Sequence, residues 1–458
     1  MLLFLDWQSD GIAARLALIL YGVILVIALL PGLRRCGAVS RLVPAALAWH
    51  GVIWAFIAFW LLPYYAAATG ADCYGYHHNG MMVAQVIRAG NWGAISWQLG
   101  SDTMPIVTGL LYAPFGGDIY GMLLFSAALG FCAALYLCRA FALWATPAQL
   151  KQYAIIILFL PSLGMWAGYY GKDSWVAMGL GMAAYGYSST LKPHGPVGVW
   201  HLLAGVAIVT VVRPHIALVL AASMGLAYVW GLTQSRRLSV LAKLGMIVML
   251  IAMFGLLAAV ARGFLGLSEV SADSLQEYAR TKSAGNAIGG SAVEVQSSPG
   301  VVGALLNFPR GVVRVLFQPF PWEIHNFAAG MAALENLFIL WFVLSRAGRM
   351  RKLFRGMVRR PYILFSSLLA GMLLLMFSFI PNLGLLSRQR VQLLPFLFVV
   401  LVGAEAVQKR GTRPLGITSH AWRPRGPGRT SPLPQPGPSL APEGSMIPSA
   451  PRVHGAWS

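Results

Sequence analysis

Apolar runs of about 17 to 22 residues recur along this chain, and their length constrains the fold more than any other feature. In hydrocarbon every backbone N–H and C=O must find its partner within a closed unit, so runs of this length fold as spanning α-helices. With 57% hydrophobic residues and a mean hydropathy of +0.67, the sequence predicts an all-α polytopic membrane protein and excludes a soluble multidomain one. The N-terminal stretch has no basic n-region and no small-x-small cleavage site, and Gly11 to Pro31 is long enough to span, so it is read as a retained helix.

The basic residues set the orientation. A formal net charge of +20 would suit nucleic acid if it lay on one soluble face. Here Arg34, Arg35 and Arg41, then Arg139 and Lys151, Lys192, Arg236 and Arg237, and the cluster Arg346 to Arg360 fall in alternate gaps between apolar runs, the positive-inside pattern. Membrane lipid, not nucleic acid, is therefore the expected partner. About eleven spans follow: Gly11–Pro31, Val43–Pro63, Tyr120–Phe141, Gln152–Tyr170, Ser174–Ser189, Val197–Val212, Pro214–Leu232, Leu238–Ala261, Ala328–Leu344, Pro361–Pro381 and Val391–Val407. The N-terminus is then external and the C-terminus internal. The membrane domain covers residues 1–408, and the tail 409–458, rich in Pro, Gly, Ser and Arg, is expected to be disordered, basic and cytoplasmic. The four cysteines, Cys36, Cys73, Cys132 and Cys138, have neither metal-ligand spacing nor a disulfide framework.

Two external loops, 64–119 and 262–326, are too long to be plain connectors. The first contains Met81–Leu99, whose apolar spacing and Trp92 and Trp97 predict a helix lying in the interface, and Pro105–Gly116, apolar but too short to span. The second has a polar middle, Ser271–Ser298, followed by an apolar stretch.

In a chain that is only 10% charged, ionisable groups at the outer helix ends are the candidate functional residues. Asp72 opens the first loop in GADCYGYHHNG, at the water–hydrocarbon boundary where burial and neighbouring charge tune a carboxylate for general-base work. Tyr74, Tyr76, His77 and His78 add aromatic faces and hydrogen-bonding groups suited to sugar rings. Lys172 and Asp173 occupy a short outer turn in PSLGMWAGYYGKDSW; the pair either neutralises itself, with Asp173 capping the following helix, or presents an ammonium to a phosphate. Arg213 in VVRPH has no acidic neighbour in sequence, so a protein carboxylate or a ligand phosphate should meet it, with His215 a weaker companion. In FQPFPWEIHN, Glu323 is the leading second carboxylate and Trp322 offers a stacking plane. Arg388 and Arg390 precede the last span as two guanidiniums suited to a diphosphate. No metal ligand set is evident.

A base, several fixed cations and aromatic platforms form the inventory that transfer of a sugar from a polyprenyl-phosphate carrier requires. The external Asp after the second span, the interfacial helix behind it and the many-span layout resemble integral-membrane glycosyltransferases of the GT-C type. That resemblance implies a catalytic or metal-associated role for Asp72, and a divalent cation is compatible with it. The later motifs, KD, RPH, PFPWE and SRQR, resemble those of bacterial inner-membrane proteins that assemble capsule, O-antigen and exopolysaccharide, some of them repeat-unit polymerases. The likeness extends over residues 60–400 in layout and over short stretches in motif. It implies a periplasmic N-terminus, a lipid-linked sugar substrate and other polysaccharide-assembly proteins as partners. No clean acidic pair follows Asp72, which leaves the second carboxylate open among Asp102, Asp118 and Glu323, and transferase and polymerase remain alternatives. From another class, a transporter or flippase for a lipid-linked or anionic solute would carry polar groups near the midplane on broken helices, whereas here the charges read as sitting at helix ends. If Arg213, Arg388 and Arg390 form one clamp with Lys172 assisting, Arg213 and Arg388 must lie within about 20 Å, two helix diameters.

Overall fold

The computed structural model describes residues 9–33, 37–64, 72–98, 100, 102–192, 197–234, 300–324, 327–349, 357, 360–380 and 382–403, with scattered positions between 244 and 259. All of them belong to one unit, Met1–Ile417; the expected tail, 409–458, and the polar middle of the second loop lie outside the described residues. Every described element is helical: α1 (Ser9–Leu33), α2 (Val43–Tyr64), α3 (Asp72–Arg88), α4 (Thr103–Tyr112), α5 (Ile119–Ala142), α6 (Pro147–Phe159), α7 (Pro161–Ala167), α8 (Lys172–Thr190), α9 (Val197–Val212), α10 (Pro214–Gln234), α11 (Gly300–Phe317), α12 (Phe327–Leu344), α13 (Pro361–Phe377), α14 (Leu383–Gln389) and α15 (Leu394–Gly403).

An α-helical membrane protein is thus what the chain forms, with fewer full-length spans than its apolar runs suggest. Among the described residues four helices, α1, α2, α5 and α10, are long and apolar enough to cross a membrane, and two bent pairs raise that to six. The span expected at Leu238–Ala261 lies almost wholly outside the described residues.

The centre of the bundle is α5, most of whose side chains are buried between α1 and α8. Small residues let α8 and α9 approach closely: a Cβ on Gly186 would sit 2.3 Å from the backbone nitrogen of Leu202, and one on Gly205 2.4 Å from that of Ala183. Where lipid removes the hydrophobic drive between helices, close backbone packing of this kind supplies the attraction.

Both bent pairs correct an expectation of a straight span. The run Gln152–Tyr170 breaks between α6 and α7 with a 54° bend. Pro161 has no N–H to continue the helix ladder. The next donor, the Ser162 N–H, also leaves the ladder and bonds Glu335 Oε2 at 2.8 Å. The carbonyl it abandons, Leu158 O, lies 3.2 Å from His50 Nε2. Two side chains from α12 and α2 therefore replace one lost backbone bond, as a break inside a membrane requires. The last expected span, Val391–Val407, instead begins earlier as α14, passes through a 3₁₀ turn at Arg390–Gln392 and continues as α15, bent by 55°.

The segment expected as the first external loop is also more helical than its sequence suggests. Its helix runs over Asp72–Arg88, nine residues ahead of the expected start at Met81, and ends before a short 3₁₀ turn at Trp92–Ala94. Trp92 and Trp97 are both exposed, as interfacial aromatics are. Arg88 closes the unit by donating to Ala113 O at 2.7 Å and Tyr112 O at 2.9 Å, which seats α3 on α4.

Candidate functional site

The ends of α3, α8 and α14 and the α9–α10 turn come together around one carboxylate. Asp173, in the first turn of α8 and 1% exposed, benefits there from the positive end of the helix dipole. Its Oδ1 accepts from Arg213 Nη2 at 2.8 Å, and its Oδ2 accepts from Arg388 Nε. Gln392 Nε2 stands 3.5 Å from the same Oδ1 and donates to Gln389 Oε1 at 3.0 Å. Gln389 Oε1 in turn accepts from Arg213 Nη1. A buried carboxylate surrounded by this many donors keeps its charge and fixes two guanidiniums in space.

Arg388 carries the frame outward. Its Nη1 donates to Asp72 Oδ2 at 2.9 Å, and the Asp72 side chain is 58% exposed. The guanidinium lies against Gly171, where a Cβ would stand 3.1 Å from Nη2. Lys172, half-buried beside the cluster, makes no ion pair among the described residues. Arg213, whose Nη1 and Nη2 are both engaged, is 8% exposed.

Aromatic side chains of α3 form one wall. Tyr76 tilts over Tyr170 with ring centroids 6.2 Å apart. Burial, reinforced by the Asp72 charge and opposed by Arg388 and Arg213, pushes its phenol up to about 12. His77 Nδ1 lies 2.9 Å from the hydroxyl of buried Tyr112, and burial lowers the His77 pKa. Thr108 and Tyr170 share a 2.8 Å hydrogen bond, and Cys73 Sγ meets Tyr169 OH at 3.2 Å. These bonds hold α3 and α4 against the turn that leads into Lys172 and Asp173.

The expected residues sort accordingly. Asp72, Lys172, Asp173, Arg213 and Arg388 come together, with Arg213 and Arg388 on the same carboxylate, well inside the expected separation. His215 lies close enough to Arg213 and Lys172 to feel both charges. Tyr74, 38% exposed, and His77 stand on α3. Asp173 neither pairs with Lys172 nor caps its helix, whose N-cap is Gly171; it binds two arginines instead.

Arg390 does not join Arg388 in a clamp. One 3₁₀ turn on, it is 1% exposed and faces Glu335 Oε1 at 3.4 Å. Glu323 folds back on its own turn, accepting from Phe320 N at 2.7 Å and Gln318 Nε2 at 2.9 Å, and Trp322 stacks on Phe320. Neither touches the Asp173 cluster in these contacts. The other candidate acids serve structure: Asp118 binds Arg15 at 2.8 and 3.0 Å and caps α5, and Asp102 accepts from Gln98 N.

Sequence reasoning missed Glu335, Gln389 and Gln392. Glu335 had a signal, a lone acid inside the apolar run Ala328–Leu344; the glutamines had none. Among the described residues no group of three or more His, Cys, Asp or Glu could hold a metal ion, and both carboxylates of the cluster face guanidiniums, so the donor set does not fit a resident divalent cation. No family model, no curated protein and no solved structure matches this chain.

Proposed function

We propose that this chain is a GT-C-like glycosyltransferase of the bacterial inner membrane, working at the outer face on a polyprenyl-phosphate-linked sugar or oligosaccharide in surface-polysaccharide assembly, as a transferase or a repeat-unit polymerase. One observation carries the reading: an exposed carboxylate, Asp72, lies 2.9 Å from an arginine that a buried aspartate fixes, beside a lysine that makes no ion pair among the described residues.

In this reading Asp72 accepts the proton of the acceptor hydroxyl as its oxygen attacks the anomeric carbon. The anomeric C–O bond to phosphate breaks, and its electron pair leaves on the phosphate. Lys172 and the outer edge of Arg388 stabilise that charge without reorganising, because Asp173 already holds Arg388. Arg213 acts through Asp173 as a positioning residue, and Tyr76 and Tyr74 offer faces to the sugar. Glu323 and Trp322 pack on Phe320 and Arg390 faces Glu335, so no step is routed through them.

The test is complementation. Asp72→Asn should abolish surface polymer while protein accumulates normally in the membrane, and normal polymer from that variant sinks the assignment. The lipid-linked intermediate that builds up in a deletion strain separates the alternatives: a complete repeat unit indicates a polymerase and a truncated one a transferase.

A second reading, a transporter or flippase for a lipid-linked or anionic solute, gains support from the two bent helix pairs and the buried ion pair of Arg390 with Glu335 of α12, features that membrane transport sites use. In that case the deletion strain accumulates the complete unit on the cytoplasmic leaflet, and Asp72→Asn protein still moves it.

A further inference from the structure

Below the outer cluster, both broken spans meet a single carboxylate. Glu335, in the middle of α12 and 6% exposed, accepts from Ser162 N at the first break and faces Arg390 Nη2 at the second. Each break leads directly into the outer cluster. From Ser162, α7 runs to the Gly168–Gly171 turn and on to Lys172 and Asp173; from Arg390, the same 3₁₀ turn and helix end carry Arg388, Gln389 and Gln392.

Local capping explains only half of this arrangement. The bond gives the Ser162 N–H an acceptor in place of Leu158 O, and Oε2 alone supplies it. The second oxygen faces a guanidinium whose Nε and Nη1 meet no hydrogen-bond acceptor among the described residues. A cation buried this deeply is costly unless a countercharge meets it, and Glu335 is the carboxylate that does. The pair therefore sets where the Arg390–Gln392 turn sits relative to α7.

We infer that Glu335 is a positioning residue for the outer-face cluster: by joining the two breaks it sets the register in which Arg388 reaches both Asp173 and Asp72. The inference rests on the reading of that cluster as the working site. Its mechanical part can be tested independently of glycosyl transfer.

Two double variants of the full-length protein make the test. Glu335→Gln with Arg390→Met keeps an acceptor for Ser162 N and leaves no uncompensated charge, so the fold should survive while the tie is lost. Glu335→Arg with Arg390→Glu reverses the ion pair and restores the link to the Arg390–Gln392 turn, while Ser162 N loses its acceptor because a guanidinium only donates. Hydrogen exchange at residues 386–392 should rise on the order of tenfold in the neutral pair, with polymer output per membrane-inserted molecule falling by a similar factor. The reversed pair should recover both relative to Glu335→Arg alone. If that single variant fails to accumulate, the reversed pair must restore both accumulation and output.

Unchanged exchange at 386–392 in the neutral pair, or a reversed pair no better than Glu335→Arg alone, which lacks the same acceptor for Ser162 N, overturns the inference and leaves Glu335 as a local cap. If exchange behaves as expected while Asp72→Asn retains full output, the positioning role stands and the glycosyl-transfer reading fails.

Discussion

Arg388 and Arg390 stand two residues apart and end in opposite situations. Arg388 binds two carboxylates, one buried and one exposed. Arg390 lies in the apolar interior and faces a single carboxylate at 3.4 Å. The bend between α14 and α15 makes the difference, since the 3₁₀ turn sends one side chain toward Asp72 and Asp173 and the next but one into the bundle. A dense network holds charge where chemistry can reach it. A sparse pair at the same depth as two helix breaks fixes geometry instead.

The largest expected effect tests the dense side of that comparison. Asp173→Ala leaves the buried Arg213 without its carboxylate and Arg388 with only the exposed Asp72, and should cost about 3–5 kcal/mol of stability. Thermal unfolding in detergent and accumulation in membranes would report it. A loss no greater than that of Arg390→Met would erase the distinction drawn between the two clusters.

Asp72→Asn separates function from stability within the dense cluster. Because Asp72 is mostly solvated, its ion pair should contribute only about 0–1 kcal/mol, so the melting temperature should hold while polymer output disappears. Large destabilisation would mean that Asp72 is part of the frame.

Gly171→Val pushes on Arg388 from the side. The backbone there is extended and accepts any residue, with φ at 167°, so the strain comes only from the new side chain against Nη2. A cost of about 1–3 kcal/mol is expected, with partial loss of output; Gly171→Ala should be milder on both counts.

The smallest effect concerns the aromatic wall. Burial holds the His77 pKa below its ordinary value of 6.5, so the unfolded chain binds the proton more readily. Stability contributed by neutral His77 is therefore complete above 6.5 and declines as pH falls through the lowered value. Melting curves taken across that window should flatten in His77→Gln. An unchanged pH dependence would remove His77 from the packing of α3 on α4.

Much of the helical layout was legible because apolar length is a local signal. The helices Ile119–Ala142, Lys172–Thr190 and Pro214–Gln234 lie within a few residues of the expected spans. The breaks were not legible in the same way. Pro161 and Pro395 mark where a ladder can fail, but whether a helix bends depends on what rescues its orphaned groups. Here the rescuers are His50 and Glu335, more than a hundred residues away in sequence. In the site, residue types at helix ends identified Asp72, Asp173, Arg213 and Arg388 singly. Their pairing was hidden, and so was the retreat of Arg390 into the core.

By itself the sequence determined that this chain lies in a membrane as helices, because hydrocarbon leaves a backbone no other closed way to satisfy its hydrogen bonds. It also determined that the scarce ionisable groups would carry the interest, since each is costly near lipid. Only the tertiary structure decided which charge meets which. Ion pairing depends on distances of a few ångströms between groups up to 316 residues apart, and those distances are set by bends and crossings that no local pattern encodes.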